Sequence, residues 1–182
     1  MVNGLIPRRY AKALYKFALE KGNAKTVYDE MKVVIGAFQK NPELQKVLAN
    51  PFVSTADKEN LLIAAAGENA ENDYRGFVKL ILQLHREQFA YLMALAYRDI
   101  YREANRISQV KITTAANLED AEMAKIRGLV EKAFPDSVLE YSYEVRPEII
   151  GGFVVDVDSV RMDASVSNEL EQLRLNLLRS NQ

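Results

Sequence analysis

The hydrophobic pattern of this 182-residue chain changes near residue 105, and this change limits the fold more than any other feature. Before it, apolar side chains recur at three- and four-residue spacings, which is typical of amphipathic helices. After it, β-branched residues alternate with polar ones, as at Val110, Ile112 and Thr114, which is typical of strands. We therefore predict a mainly α protein with two domains, a six-helix bundle over residues 1–105 and a small α+β domain over residues 106–182.

Glycine, proline and capping residues set the helix boundaries in the first half. Gly22, Pro42, Pro51 and Gly67 each separate one apolar repeat from the next. The predicted helices cover residues 8–21, 25–40, 42–49, 72–86 and 88–105, and between the third and the fifth of the six lies a helix that Ser54 or Thr55 caps and that ends at Gly67. Short connections between these helices favour an antiparallel bundle.

The pattern of the second half predicts a strand, a helix, further strands and a final helix, in that order. The predicted strands cover residues 109–115, 139–145, 153–157 and 160–162, and the helices cover 118–134 and 165 or 167 to 178. We expect Asn117 to cap the first of these helices and Gly151–Gly152 to form a turn or bulge. Asp156 and Asp158 alternate with valines, which predicts that both lie on the wet face of a strand.

The composition excludes most catalytic and metal chemistry. The absence of cysteine excludes disulfides, thiolate zinc sites and cysteine nucleophiles, and a single histidine, His85, excludes any site that needs two. The sequence has no phosphate-binding or dinucleotide-binding glycine motif. Lys and Arg number 24 against 25 Asp and Glu, which argues against a nucleic-acid partner. We predict a protein that is not an enzyme and has no catalytic residue, cofactor or metal.

The chain also lacks the pattern of a membrane-spanning or secreted protein. Its longest apolar run, residues 89–97, has nine residues, fewer than the roughly 18 that a membrane span needs. The first ten residues contain no apolar stretch like that of a secretory signal. We expect an intracellular protein without direct membrane insertion.

The first and fifth helices carry more apolar surface than a bundle helix needs. At 100° per residue, their apolar residues cover arcs of roughly 240° and about 200°, against the ~100° stripe of an ordinary surface helix. Such helices are either central in the bundle or share a groove that accepts an amphipathic helix from another chain. The last helix has one narrow stripe, which either packs on the sheet or also meets a partner coiled coil. That stripe comprises Val166, Leu170, Leu173 and Leu177.

Two segments resemble a known family. Residues 8–18, RRYAKALYKFA, resemble the opening helix of the delta subunit of F-type ATP synthases, called the oligomycin-sensitivity-conferring protein in mitochondria. Residues 149–155, IIGGFVV, followed by Asp163-Ala164-Ser165, resemble its C-terminal signature. The order, spacing and length also fit, so the resemblance covers essentially the whole chain. The chain departs from the family at Asp156, where members often carry a basic or amide residue, and at 158–159, where they carry Gly–Asp.

The resemblance implies a non-catalytic stator subunit that links the catalytic head to the membrane sector and resists rotor torque during proton-driven ATP synthesis. Its helical domain would hold the N-terminal helix of an alpha subunit between the first and fifth helices. The groove residues implied are Tyr10, Ala13, Leu14 and Phe17 with Phe77, Leu80, Ile81 and Leu84. The C-terminal domain would meet the b subunits through the stripe of the last helix, defined above. The location implied is the cytoplasmic face of the bacterial plasma membrane, as a peripheral membrane protein.

Two other function classes stay open at this point. A soluble adaptor unrelated to proton transport could use the same groove to bind another helix. An enzyme with an unrecognised site would have to rely on Asp156 or His85, and neither stands in a catalytic motif.

Overall fold

The structure, a computed structural model, describes residues 4–67 and 71–180. It divides into two compact units, Met1–Ala104 and Asn105–Gln182, one residue before the predicted boundary. Within the described residues the first unit is helical and the second is a four-stranded sheet with two helices. The predicted fold class is therefore confirmed.

The first unit contains the six predicted helices. They are α1 Leu5–Glu20, α2 Ala24–Lys40, α3 Glu43–Ala49, α4 Thr55–Ala66, α5 Asn72–Gln83 and α6 Ala90–Asn105, the last preceded by a 3₁₀ turn at Glu87–Phe89. Ser54 caps α4, because its side chain accepts a hydrogen bond from the Asp57 amide at 3.1 Å. Helix α1 begins three residues before its predicted start, since Pro7 occupies the first turn, where backbone amides have no intrahelical partner.

Helix α5 ends three residues before its predicted end because the chain turns into a left-handed conformation at His85, with φ of 52°. The Arg86 amide donates to the Ile81 carbonyl at 2.8 Å and the His85 amide to the Leu82 carbonyl at 3.1 Å. These two bonds form a Schellman motif. The usual glycine signal is absent at this position, so the sequence pattern did not indicate the stop.

The core of the bundle combines aliphatic side chains with hydrogen-bonded tyrosines. Tyr97 is fully buried, and its hydroxyl donates to the Ala24 carbonyl at 3.1 Å. The hydroxyl of Tyr74 donates to the Leu62 carbonyl at 2.8 Å. Buried hydroxyls need such partners to offset lost hydration, so the tyrosines fix how α2, α4, α5 and α6 pack.

The second unit is built on the order β1 Ile107–Thr114, α7 Asp120–Ala133, β2 Val138–Val145, β3 Gly152–Val157, β4 Val160–Ser165 and α8 Val166–Ser180. The strand order is β2-β1-β3-β4, with β1 and β2 parallel and the other pairs antiparallel. One face of the sheet packs against α7. That core comprises Val110, Ile112, Val155 and Val157 of the sheet with Ile126 and Val130 of α7.

Several local predictions for this unit need correction. Asn117 does not cap α7, which begins at Asp120 with Glu119 as its N-cap. Strand β4 continues three residues beyond its predicted end and stops at Ser165, whose hydroxyl accepts from the Asn168 amide at 3.2 Å and starts α8. Asp158 lies in the β3–β4 turn with φ of 49° rather than on a strand face.

Asp156 lies on the strand face that the sequence predicts, whereas Gly152 is the first residue of β3, paired with Ser165, and not part of a turn or bulge. Gly152 has φ of 71°, and a Cβ there would collide with the Ala164 carbonyl, so only glycine lets β3 start beside β4. The carboxylate of Asp156 accepts from the Arg161 guanidinium at 2.6 Å on the neighbouring strand. Asp156 is therefore engaged in a cross-strand ion pair on the face of the sheet away from the core.

Candidate functional site

Helix α1 is only partly covered by its own bundle. Its buried residues include Ala11, Leu14 and Ala18, which follow the spacing of one helical face. Ala13 is exposed and Phe17 is 46% exposed, so the apolar surface continues past the buried face. This continuation reflects the wide apolar arc in the sequence, because a bundle covers only about 100° of a helix.

Helix α5 has the same division. Phe77 and Ile81 are buried within the bundle, whereas Leu80 is 45% exposed and Gly76 is exposed. A leucine exposed singly is ordinary, but here it lies beside the uncovered side of α1. The exposed parts of α1 and α5 thus form one continuous apolar surface.

A cavity of about 660 Å³ separates α1 and α5, and we call it the α1–α5 groove. Leu14 and Phe77 belong both to the groove and to the core, so the bundle itself holds its floor in place. The residues that line the groove are Tyr10, Ala13, Leu14, Phe17, Lys21, Asn72, Asp73, Gly76, Phe77, Lys79, Leu80 and Gln83.

Six of the eight groove residues named from the sequence line this cavity, and two do not. Ile81 is only 1% exposed and belongs to the bundle core. Leu84 is 48% exposed but follows the end of α5 and does not line the groove. Leu80 lies on the open side of α5, whereas Ile81, about 100° further round the helix, faces the bundle core.

An ion pair closes one end of the groove. Lys21 Nζ lies 2.7 Å from a carboxylate oxygen of Asp73, and Asn23 donates to the other oxygen. These hydrogen bonds from Lys21 and Asn23 hold the pKa of Asp73 below its ordinary value. Because Asp73 is in the first turn of α5 and Lys21 follows the last turn of α1, the pair connects the two walls.

A second carboxylate, that of Glu30, accepts a hydrogen bond from the backbone at the start of α5. Glu30 of α2 is buried, and one of its oxygens accepts from the Glu71 amide at 2.5 Å. Glu71 is the N-cap of α5, so Glu30 satisfies one of the amides that a helix start leaves unpaired. Burial raises the pKa of Glu30.

Sequence analysis missed the polar and small groove residues because it selected apolar side chains only. Asp73, Gly76 and Gln83 lie seven, four and three positions from Leu80, on the same helix face, so their spacing is a signal that the sequence contains. The pairing of Lys21 with Asp73 joins residues 52 positions apart and has no local signature.

The second candidate surface is the apolar stripe of α8. None of the described side chains of α8 is buried, and its stripe residues are 37–65% exposed. The helix touches β4 and the 3₁₀ turn Pro147–Ile149 near its start, where the Val166 amide donates to the Gly151 carbonyl at 3.0 Å. The interpretation in which α8 packs on the sheet is therefore wrong. The stripe residues are Val166, Leu170, Leu173 and Leu177.

The two residues on which an enzyme would have to rely, His85 and Asp156, belong to different units of the chain. His85 is exposed at the end of α5, and Asp156 is paired with Arg161. Among residues 4–67 and 71–180, no group of three or more His, Asp or Glu side chains could hold a metal ion. No helix in this described part of the chain has the length and apolar character of a membrane span.

Comparison with known proteins gives one consistent result. A model of the family described as ATP synthase delta (OSCP) subunit matches residues 6–177. ATP synthase subunit delta of Phocaeicola vulgatus is 35% identical over 182 residues, which cover 100% of this chain and 98% of the relative. The corresponding protein of Parabacteroides distasonis is 37% identical over 175 residues, 96% of this chain and 97% of the relative.

A solved structure shares the fold. A chain of the Toxoplasma gondii mitochondrial ATP synthase hexamer superposes with a TM-score of 0.67 at 19% identity, covering 96% of this chain and 98% of that chain. At this identity the match supports the arrangement of helices and strands described above.

Proposed function

The chain belongs to the ATP synthase delta (OSCP) subunit family, and on this basis we propose that it is a non-catalytic stator subunit that links the catalytic head to the b subunits. During proton-driven ATP synthesis the rotor exerts torque on the head. A subunit held to both the head and the stalk resists that torque. This role requires two binding surfaces and no catalytic residue.

The α1–α5 groove is the observation that carries the head-side contact. We assign to it the amphipathic N-terminal helix of an alpha subunit. Leu14 and Phe77 form a preformed apolar floor, while Phe17 and Leu80 are about half exposed and available for contact. Such a floor, with flanking side chains that become buried on binding, is typical of helix-in-groove recognition.

The energies are sufficient for a stable complex. Burying a large apolar side chain contributes about 1.5–3 kcal/mol, and a helix in the groove would complete the burial of Phe17 and Leu80 while burying its own anchors. Association itself costs at least about 4 kcal/mol. Four or five fully buried anchors contribute about 6–15 kcal/mol in total, which exceeds the low end of that cost. Lys79 on the rim favours an acidic residue on the polar face of the visiting helix.

The α8 stripe carries the stalk-side contact. We assign to it the C-terminal part of the b subunits, because one valine and three leucines at spacings of four, three and four match the seam of a coiled coil. Leu170 and Leu173 are 53% and 58% exposed, so the helix presents this seam to solvent. With partners at both surfaces, the subunit is a peripheral membrane protein on the cytoplasmic face of the bacterial plasma membrane.

Binding of an alpha-subunit peptide tests the head-side assignment. We mix the full chain with a synthetic peptide of the alpha-subunit N-terminal helix and measure the affinity by calorimetry. Leu80→Asp should weaken binding by at least ~2 kcal/mol, because it places an unpaired charge in an anchor contact. Leu19→Asp is the matched control, since Leu19 lies on α1, is 59% exposed and does not line the groove.

The result also separates this function from the adaptor hypothesis. Equal binding by wild type and Leu80→Asp would contradict the groove assignment. The adaptor hypothesis would be favoured if the wild-type chain does not bind the peptide and a pull-down from a lysate of the source cells returns no ATP synthase subunits.

A further inference from the structure

Gly76 occupies an unfavourable position for a glycine. It lies inside α5, on the exposed face that lines the α1–α5 groove. A glycine within a helix destabilises the folded state relative to alanine, because the unfolded chain has more backbone freedom to lose. Its presence therefore needs a compensating reason.

The free chain supplies no such reason. The backbone of Gly76 is ordinary right-handed helix, so no unusual φ requires glycine. A Cβ built on Gly76 would meet none of the described atoms within 4 Å, apart from its immediate neighbours and its own helix backbone. Alanine would fit the described structure without any displacement.

Gly76 differs from the other helical glycines in its position on the protein surface. Gly36 in α2 and Gly128 in α7 also have open space where a Cβ would stand, but neither lines the groove. Gly76 lies in the groove wall beside Phe77 and one turn before Leu80, and the opposite wall contributes another small residue, Ala13. Gly76 and Ala13 are thus the smallest lining residues of the two walls, and a visiting backbone meets the least side-chain bulk beside them.

We propose that Gly76 is the point of closest approach between α5 and the helix that occupies the groove, and that it determines which helices fit. This inference rests on the proposed function. Helix axes pack 8–10 Å apart depending on the side chains at the crossing, and a glycine places the crossing at the short end of that range. The visiting helix must then present a small residue opposite Gly76, with its larger anchors to either side.

Gly76→Ala should move stability and affinity in opposite directions. We expect the melting temperature of the full chain to rise by about 2–4 °C, because alanine favours the helix. We expect the Kd for the alpha-subunit N-terminal peptide to increase about tenfold or more, because the added methyl group occupies the contact. Gly76→Leu should increase the Kd further. A purely structural role would not give a more stable protein that binds more weakly.

Gly36→Ala is the matched control. It makes the same chemical change in a helix outside the groove, so the melting temperature should rise while the Kd stays at the wild-type value. If Gly76→Ala binds as tightly as wild type, the close-approach inference is overturned and the groove assignment stands. If the folded wild-type chain does not bind the peptide, the proposed occupant and this inference both fail.

Discussion

The two candidate surfaces of this protein differ in how much structure they possess before a partner arrives. The α1–α5 groove is concave, its floor is part of the bundle core, and the Lys21–Asp73 pair connects its walls. The α8 stripe is a convex row of leucines on a helix with no buried side chain among those described. The groove can therefore bind with little reorganisation, whereas α8 gains most of its packing from its partner.

This difference has a consequence for mutations. A groove residue that is also a core residue affects folding and binding together. A stripe residue affects binding alone, because the folded chain makes little use of it. The comparison can be tested by removing equivalent leucine atoms from each surface.

Truncation at the groove floor should have the largest effect on folding. Leu14 is 5% exposed, so Leu14→Ala leaves a cavity and should lower the free energy of unfolding by about 2–5 kcal/mol. Leu173 is 58% exposed, and Leu173→Ala should change the free energy of unfolding by less than about 0.5 kcal/mol. The chain has no tryptophan, so denaturant unfolding is best followed by circular dichroism. Similar losses for both variants would show that α8 is packed in solution.

A charge on each surface should separate the two partners. Leu173→Asp should weaken binding of the full chain to the soluble part of the b subunits by about 2 kcal/mol, and it should leave the affinity for the alpha-subunit peptide unchanged. Co-elution on size exclusion and calorimetry measure the two affinities. Leu129→Asp is the control, since Leu129 is 54% exposed on α7 in the same unit. A loss of peptide binding in Leu173→Asp would mean that the surfaces are not independent.

The apolar periodicity of the sequence predicts the helices and their uncovered surface well. The sequence does not predict the polar contacts between residues far apart in the chain. The wide arcs of α1 and α5 indicated an uncovered surface, because periodicity depends only on local geometry. They could not show which side the bundle covers, so Ile81 was assigned to the groove although it is buried. The Lys21–Asp73 pair joins residues far apart in the chain, and the left-handed end of α5 falls on His85 where a glycine is the usual signal, so the sequence pattern indicates neither.

For α8 the sequence leaves two interpretations open, and a property of the sheet explains why the stripe does not pack on it. The stripe of four apolar residues is equally suited to a sheet face or a partner helix. In the structure α7 covers the apolar face of the sheet, with Ile126 and Val130 against Val110 and Ile112. The opposite face carries ion pairs, among them Lys111 with Glu144 and Asp156 with Arg161, and offers little apolar surface to α8.

The smallest effect should come from two carboxylates, Asp73 in the groove and Glu30 beside the start of α5, through their contribution to the pH dependence of stability. The pKa of Asp73 is below its ordinary 3.8, so its contribution is present above pH 3.8 and is lost as the pH falls further. The pKa of Glu30 is above its ordinary 4.5, so the folded state binds the proton more tightly and stability decreases as the pH rises from 4.5 through the raised pKa. Taken by themselves, these two contributions give a shallow maximum in mild acid, and it is superimposed on the acid loss from the other carboxylates of lowered pKa, which are Glu87, Glu144, Asp156 and Asp163.

Two variants separate these contributions. Glu30→Gln should remove the decrease above pH 4.5, because glutamine can accept the same Glu71 amide without becoming charged. Asp73→Asn should remove the part of the acid loss that this carboxylate causes, at the expense of the ion pair with Lys21. We expect both effects to be small, since the Glu71 amide offsets part of the burial of Glu30 and Lys21 is half exposed. Urea unfolding at pH 3–8 checks both variants, and an unchanged profile in Glu30→Gln would mean that Glu30 is hydrated in the folded chain.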